Sequence, residues 1–297
     1  MKKSDLKSAI KKERFFFAMV PAVVWQGLFL FLPLLFLVVI SFIKGWSYTG
    51  VHGGFTLENY TSLLDFSHLR VLFRSFFLAL INTTVCLLVA FPVSYFISVK
   101  SRRWKNCLLF FLVVPFFTNF LVLVYSWFFI LERNGVINKF LSLFGLGVSG
   151  PLLYNMPAVL LVMVYCYLPF MAMPIYSSLE KIDKSLLEAS SDLGANFRQT
   201  FFKVVLPMAF SGIRTGVFLV FVPSFGEFVI PTLIGKGEPF LVGSLVSYYF
   251  TQSLSPSFGA AFTSISCVFL VIVAFLWFVL LKLIFTKNLR GSDNGKN

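Results

Sequence analysis

Six long apolar runs divide the chain, at residues 15–43, 72–99, 107–131, 152–178, 209–234 and 260–285. Each exceeds the roughly 20 residues that a helix needs to cross a bilayer core. Runs this long do not alternate as barrel strands do, so helix is the predicted form and the fold class is an all-α membrane protein with six spans. Pro21 and Pro33 predict a bend or tilt in the first run, and Pro169 and Pro174 a bend in the fourth. In the fifth, Pro223, Gly226 and Pro231 crowd together, which predicts a broken helix. Residues 235–259 are semi-polar, with Gly235, Gly237, Pro239 and Pro256 as breakers. Their middle part predicts a short helix, lying at the outer surface or dipping back into the bundle.

Between the fourth and fifth runs lies a polar stretch, 180–207, rich in helix signals. Ser185 stands three residues before Glu188, the spacing of a capping box. Leu186, Ala189, Ser190 and Leu193 follow at helical spacing, a weakly apolar stripe. Gly194 suits the left-handed position that ends a helix. Asn196, with Gln199 three residues on, predicts a second cap. Phe197, Phe201, Val204 and Val205 then mark the buried face of a second helix, which Pro207 stops or kinks. The prediction is two short helices joined at a glycine corner.

Composition agrees with a membrane protein: 12% of the 297 residues are charged, against about 25% in soluble domains. So little non-membrane sequence leaves one transmembrane domain over residues 1–297. The net charge of +13 is no sign of nucleic acid, because the basic residues sit at the ends of apolar runs. Six of them precede the first run, whose length exceeds a signal peptide's apolar core of about 7–15 residues, so it is expected to be retained. With the N-terminus inside, nineteen Lys and Arg face the cytoplasm and six face out. That split predicts cytoplasmic termini and places 180–207 in the cytoplasm.

Cys86, Cys107, Cys166 and Cys267 lie in or beside apolar runs without metal-ligand spacing, and read as small hydrophobes. His52 and His68 read as loop residues, so no metal site is predicted. No nucleotide-binding phosphate loop and no catalytic pair occurs, so the chain is expected to be neither an enzyme nor a binder of any cofactor. Glu227 is the acidic residue set inside a predicted span. A carboxylate there costs on the order of a few kcal/mol unless it has a partner or a cavity. It is either a contact for a cationic substrate or a carboxylate satisfied by a neighbouring helix or by Arg74. Tyr125, Trp127, Tyr165 and Tyr167, with Phe225 beside Glu227, are candidates to hold an alkylammonium by cation–π contact. With 40 phenylalanines in the chain, packing is the competing role for each.

The spacing Glu188-Ala189-Ser190, Gly194 and Val204 to Pro207 resembles the E-A-A-x3-G-x9-I-x-L-P loop of binding-protein-dependent ABC importer permeases. It departs at Ser190 for alanine and at Val204 for isoleucine. The resemblance implies a type I importer bundle whose loop, including Asp192, Ala195 and Leu206, docks on a cytoplasmic ATPase. Residues 114–119, 168–171, 176–183, 223–231 and 258–261 are similar, more narrowly, to spermidine/putrescine permeases of that family. This implies a bacterial inner-membrane subunit working with a second permease and two ATPase copies, which hold the ATP and Mg, and with an extracytoplasmic polyamine-binding protein. Alternatives are an importer permease for phosphate, sulfate, iron or thiamine, and an ATPase-independent secondary transporter.

Overall fold

The computed structural model describes residues 3–47, 50–51, 53–100, 103–145, 150–236 and 241–293. Expectations resting on Lys2, His52, Arg102, Gly237, Pro239 and Lys296 lie outside these residues. The chain forms two compact units, one of Met1–Asp65 with Tyr248–Asn297, the other of Phe66–Ser247.

In the first unit, helix α1 (Lys3–Ser41) runs through Pro21 and Pro33 without interruption. A two-residue ribbon, β1 (Trp46–Ser47) with β2 (Gly50–Val51), and the short helix α2 (Glu58–Leu63) follow. Asn59 is buried and donates its amide to the carbonyls of Ser41 and Ile43, at 2.9 and 3.1 Å. That stitches α2 to the end of α1. Helix α13 (Pro256–Asp293) packs against both, and its Ser257 hydroxyl accepts the Trp46 amide at 3.1 Å.

The second unit is built on three helices. These are α3 (Phe66–Tyr95), continued by a π-helical turn over Phe96–Lys100, then α7 (Met156–Leu179) and α10 (Leu206–Phe225). Helix α7 lies at the centre, with Val162, Met163, Met171, Ala172 and Ile175 fully buried, and continues through Pro169 and Pro174. Cys86 and Ala90 of α3 and Ala209 and Val220 of α10 complete the core. Small residues bring the backbones close, and polar side chains cross between helices, the usual adhesives where no water drives association. Asn82 donates to Ser224 at 2.8 Å, and Ser94 to the Ala172 carbonyl at 2.9 Å.

Six helical stretches among the described residues are long and apolar enough to cross a membrane, and they correct two boundaries. The apolar run 107–131 is interrupted: α4 (Lys105–Phe117) ends before Thr118, and α5 (Phe120–Leu131) starts anew. Asn119 is the physical reason, because its side chain caps the Leu121 and Val122 amides at 3.0 and 3.4 Å. The third stretch is therefore Phe120–Leu143, including α6 (Val136–Leu143). The fifth starts earlier than 209, at Phe197, and ends at Phe225.

Candidate functional site

The polar stretch folds as the elbow its pattern predicts, with one cap displaced. Helix α8 (Lys184–Asp192) is capped by Asp183, whose carboxylate accepts the Ser185 amide at 3.1 Å. Ser185 is therefore inside the helix, not its cap. Aspartate caps as well as serine and adds a negative charge where the helix dipole favours one. At the other end the Gly194 amide bonds the Ser191 carbonyl and the Ala195 amide bonds the Ser190 carbonyl, at 2.9 and 3.0 Å. This is a Schellman closure. It requires a left-handed residue, and Gly194 has φ +74°.

Helix α9 (Phe197–Thr200) begins with the capping box expected of Asn196 and Gln199. The two helices are then pinned by a hydroxyl bridge, Ser190 to Thr200 at 2.8 Å. Pro207 neither stops nor ends the helix. A π-helical turn over Phe201–Val205 precedes it, the Leu206 amide reaching back to Phe201, and α10 follows directly. The wider turn shifts the carbonyl ladder that the proline ring would otherwise strike.

Burial sorts the elbow's side chains. Phe201 sits edge-on to Phe91 at 5.4 Å and Val205 is buried. Phe197, expected on the buried face, is 65% exposed, because α9 meets the core only a turn later. Glu188, Ala189, Asp192 and Pro207 are exposed, Ser190, Ala195 and Leu206 half-buried. Leu193, at the corner, is 88% exposed, and Leu186 is exposed beside it. Leu187 and Ile182 point the other way, into the core. The elbow thus anchors by one side and turns an apolar edge, rimmed by two carboxylates, outward.

A second break lies at 226–228, between α10 and α11 (Val229–Ile234). Glu227 falls in this break and is buried. One oxygen accepts the Tyr167 hydroxyl at 2.5 Å, and the other the Val229 and Ile230 amides at 2.9 and 3.3 Å. The partners are thus a neighbouring helix and the first turn of α11, while Arg74 is exposed. Helix α12 (Val242–Thr251) packs close against the break: a Cβ on Gly243 would lie 2.3 Å from the Gly226 carbonyl. The Val242 amide bonds Ser75 at 2.8 Å, so this helix dips inward at its start.

The aromatic candidates separate. Trp127 and Tyr165 stack edge-on at 5.1 Å, Tyr125 is exposed, and Phe225 is core. Two pairings are not readable in sequence, although Glu227 and Tyr167 are each candidates there. One is the Tyr167–Glu227 pair. The other is an ion pair from Lys105 to Glu180, with the lysine 5.5 Å over the Tyr176 ring. The Lys105 hydrogen bond holds the Glu180 carboxyl below its usual range, and Glu180 holds the Lys105 ammonium above its own. No group of three or more His, Cys, Asp or Glu side chains that could hold a metal ion occurs among the described residues.

Residues 88–290 match the family described as binding-protein-dependent transport system inner membrane component. The spermidine/putrescine transport system permease protein PotB of Escherichia coli K12 is 40% identical over 244 residues, 82% of this chain and 88% of that protein. The protein of the same name in Haemophilus influenzae is 34% identical over 262 residues, 88% of this chain and 91% of that protein. A solved bacterial alginate ABC transporter, in complex with an alginate pentasaccharide-bound periplasmic protein, matches at a TM-score of 0.70. It shares 15% identity over 91% of this chain and 94% of its own, a likeness of fold.

Proposed function

The chain belongs to the binding-protein-dependent transport system inner membrane component family, and from that premise we propose that it is the permease of an ATP-driven polyamine importer. The observation that carries this reading is the elbow: capped at both ends, cornered on Gly194, and turning Leu186, Leu193, Glu188 and Asp192 outward. A membrane bundle needs no such edge for its own packing, whereas a partner in water does. The likeness to spermidine/putrescine permeases supports polyamine as the substrate class.

In this mechanism residues 1–297 act as one permease domain with both termini in the cytoplasm. A binding protein delivers substrate from outside to this chain and a second, different permease chain. Two ATPase subunits, holding ATP and Mg, close on each other and push the docked elbows. The elbow's root moves α7 and α10, and the bundle rocks between outward-open and inward-open states. The chain itself hydrolyses nothing and binds no cofactor. Tyr125, Trp127 and Tyr165 offer reachable ring faces to a cation, whereas a substrate reaching Glu227 has to open its bond to Tyr167.

Co-expression with the ATPase, followed by purification and reconstitution with the binding protein, tests this. ATP-dependent uptake of labelled spermidine, competed by putrescine, is the expected result. Uptake without the ATPase, or uptake that no polyamine competes, overturns it.

A further inference from the structure

Helix α4 is unusual among the apolar helices of its unit. None of its described residues is buried. An open cavity of about 530 Å³ lies between it and the end of α3 with its π-helical turn, with Pro92, Phe96 and Ile97 on one side and Leu108, Phe111 and Leu112 on the other. It is bounded by the bend at 103–104 and by the Thr118–Asn119 break. Such a helix has room to tilt as a body and a joint on which to do so.

Its first residue carries a polar tie to the core, the Lys105 ammonium to the Glu180 carboxylate, both partly exposed. Glu180 is the residue after α7, and only Lys181 and the buried Ile182 separate it from Asp183, the cap of the elbow. An exposed ion pair contributes little to stability. Its location therefore says more than its strength, since it joins the root of the elbow to a helix that also meets α7 through apolar contacts, among them Phe116 on Phe170 at 5.2 Å. The cation also lies 5.5 Å over the buried Tyr176 ring, which fixes the direction of the tie.

We propose that α4 is a moving strut, and that Lys105 and Glu180 are positioning residues linking its tilt to the elbow. The inference rests on the elbow being the ATPase contact. As the root of α8 shifts, Glu180 carries Lys105 with it, and α4 swings into or out of the cavity beside Pro92 and Phe96. This gives the drive a second route into the bundle, through α4 as well as through α7 and α10.

The test uses the whole transporter in proteoliposomes, reading solute moved per ATP hydrolysed together with ATPase co-purification. Lys105→Glu and Glu180→Lys are each expected to lower the transport ratio at least about threefold. The double exchange, which restores the pair in reverse, is expected to return it to within about twofold of wild type. Rescue by reversal is an outcome that a merely structural role at either residue does not produce. Single variants with the wild-type ratio, or a double variant no better than the worse single, overturn the proposal. Should a reversal variant fail to assemble, Lys105→Gln and Glu180→Gln take its place. Their effects are then expected not to add in the double variant, and simple additivity overturns the tie. A wild-type complex that does not retain the ATPase refutes the elbow reading itself. Retained ATPase with an unmoved ratio refutes only the strut.

Discussion

The elbow at 183–207 and the break at 226–228 are built from similar residues and face opposite ways. Each interrupts a helix next to a glycine and each presents a glutamate; the elbow ends on Pro207, while Pro223 and Pro231 flank the inner break. At the elbow the backbone is satisfied locally, by Asp183, by the Schellman closure and by the Asn196 box, so the side chains are left free to face outward. At the inner break the side chain itself satisfies the backbone: Glu227 bonds two amides of α11 and the hydroxyl of a neighbouring helix. A break that closes its own hydrogen bonds has a surface to offer a partner. One that consumes its charged residue internally is a joint within the bundle.

That contrast can be broken at either end. The largest effect is expected at Gly194→Val. A Cβ there meets nothing within 4 Å, so the cost is purely that of the left-handed backbone. For a β-branched residue this strain is of order 1–3 kcal/mol. Uptake in proteoliposomes should fall about tenfold while membrane insertion, read by immunoblot, stays normal. Gly194→Asn, which tolerates the same φ, should keep most of the activity. Full uptake by the valine variant would detach the corner from function.

Next is Glu227→Gln, which places an amide where a carboxylate accepted three donors. The loss of charge-assisted bonds is expected to destabilise the purified protein by about 1.5–3 kcal/mol. Its thermal midpoint should drop, and uptake should fall only in step with the amount of intact complex. Uptake lost from a fully assembled complex would instead make Glu227 part of the substrate route.

The smallest effect separates the two candidate caps. Asp183→Ala should loosen α8 by about 1 kcal/mol, seen as faster amide exchange across 184–192, whereas Ser185→Ala should match wild type. The reverse order would return the cap to Ser185.

What was legible follows from how far apart the partners lie. The Gly194 corner and the Asn196–Gln199 box are bonds between residues at most five apart, so their signals are local. The cap was misplaced by two residues because Asp183 and Ser185 both fit, and the S-x-x-E spacing favoured the wrong one. The Asn119 cap broke an apolar run that composition alone joins. Pro207 marked a disturbance but not its form, since a π-helical turn lets the helix run on.

The sequence by itself determined the apolar segments, their helical form, the glycine-cornered elbow between the fourth and fifth, and the family to which the pattern points. These depend on periodicity and on bonds closed within a turn or two of chain. Only the tertiary structure decided that Glu227 is held by Tyr167, 60 residues away, that Lys105 reaches Glu180 across 75, and that Leu193 faces out while Leu187 faces in. Periodicity tells which face of a helix is apolar. It does not tell which neighbour will meet that face, because that is fixed by how all the helices pack at once.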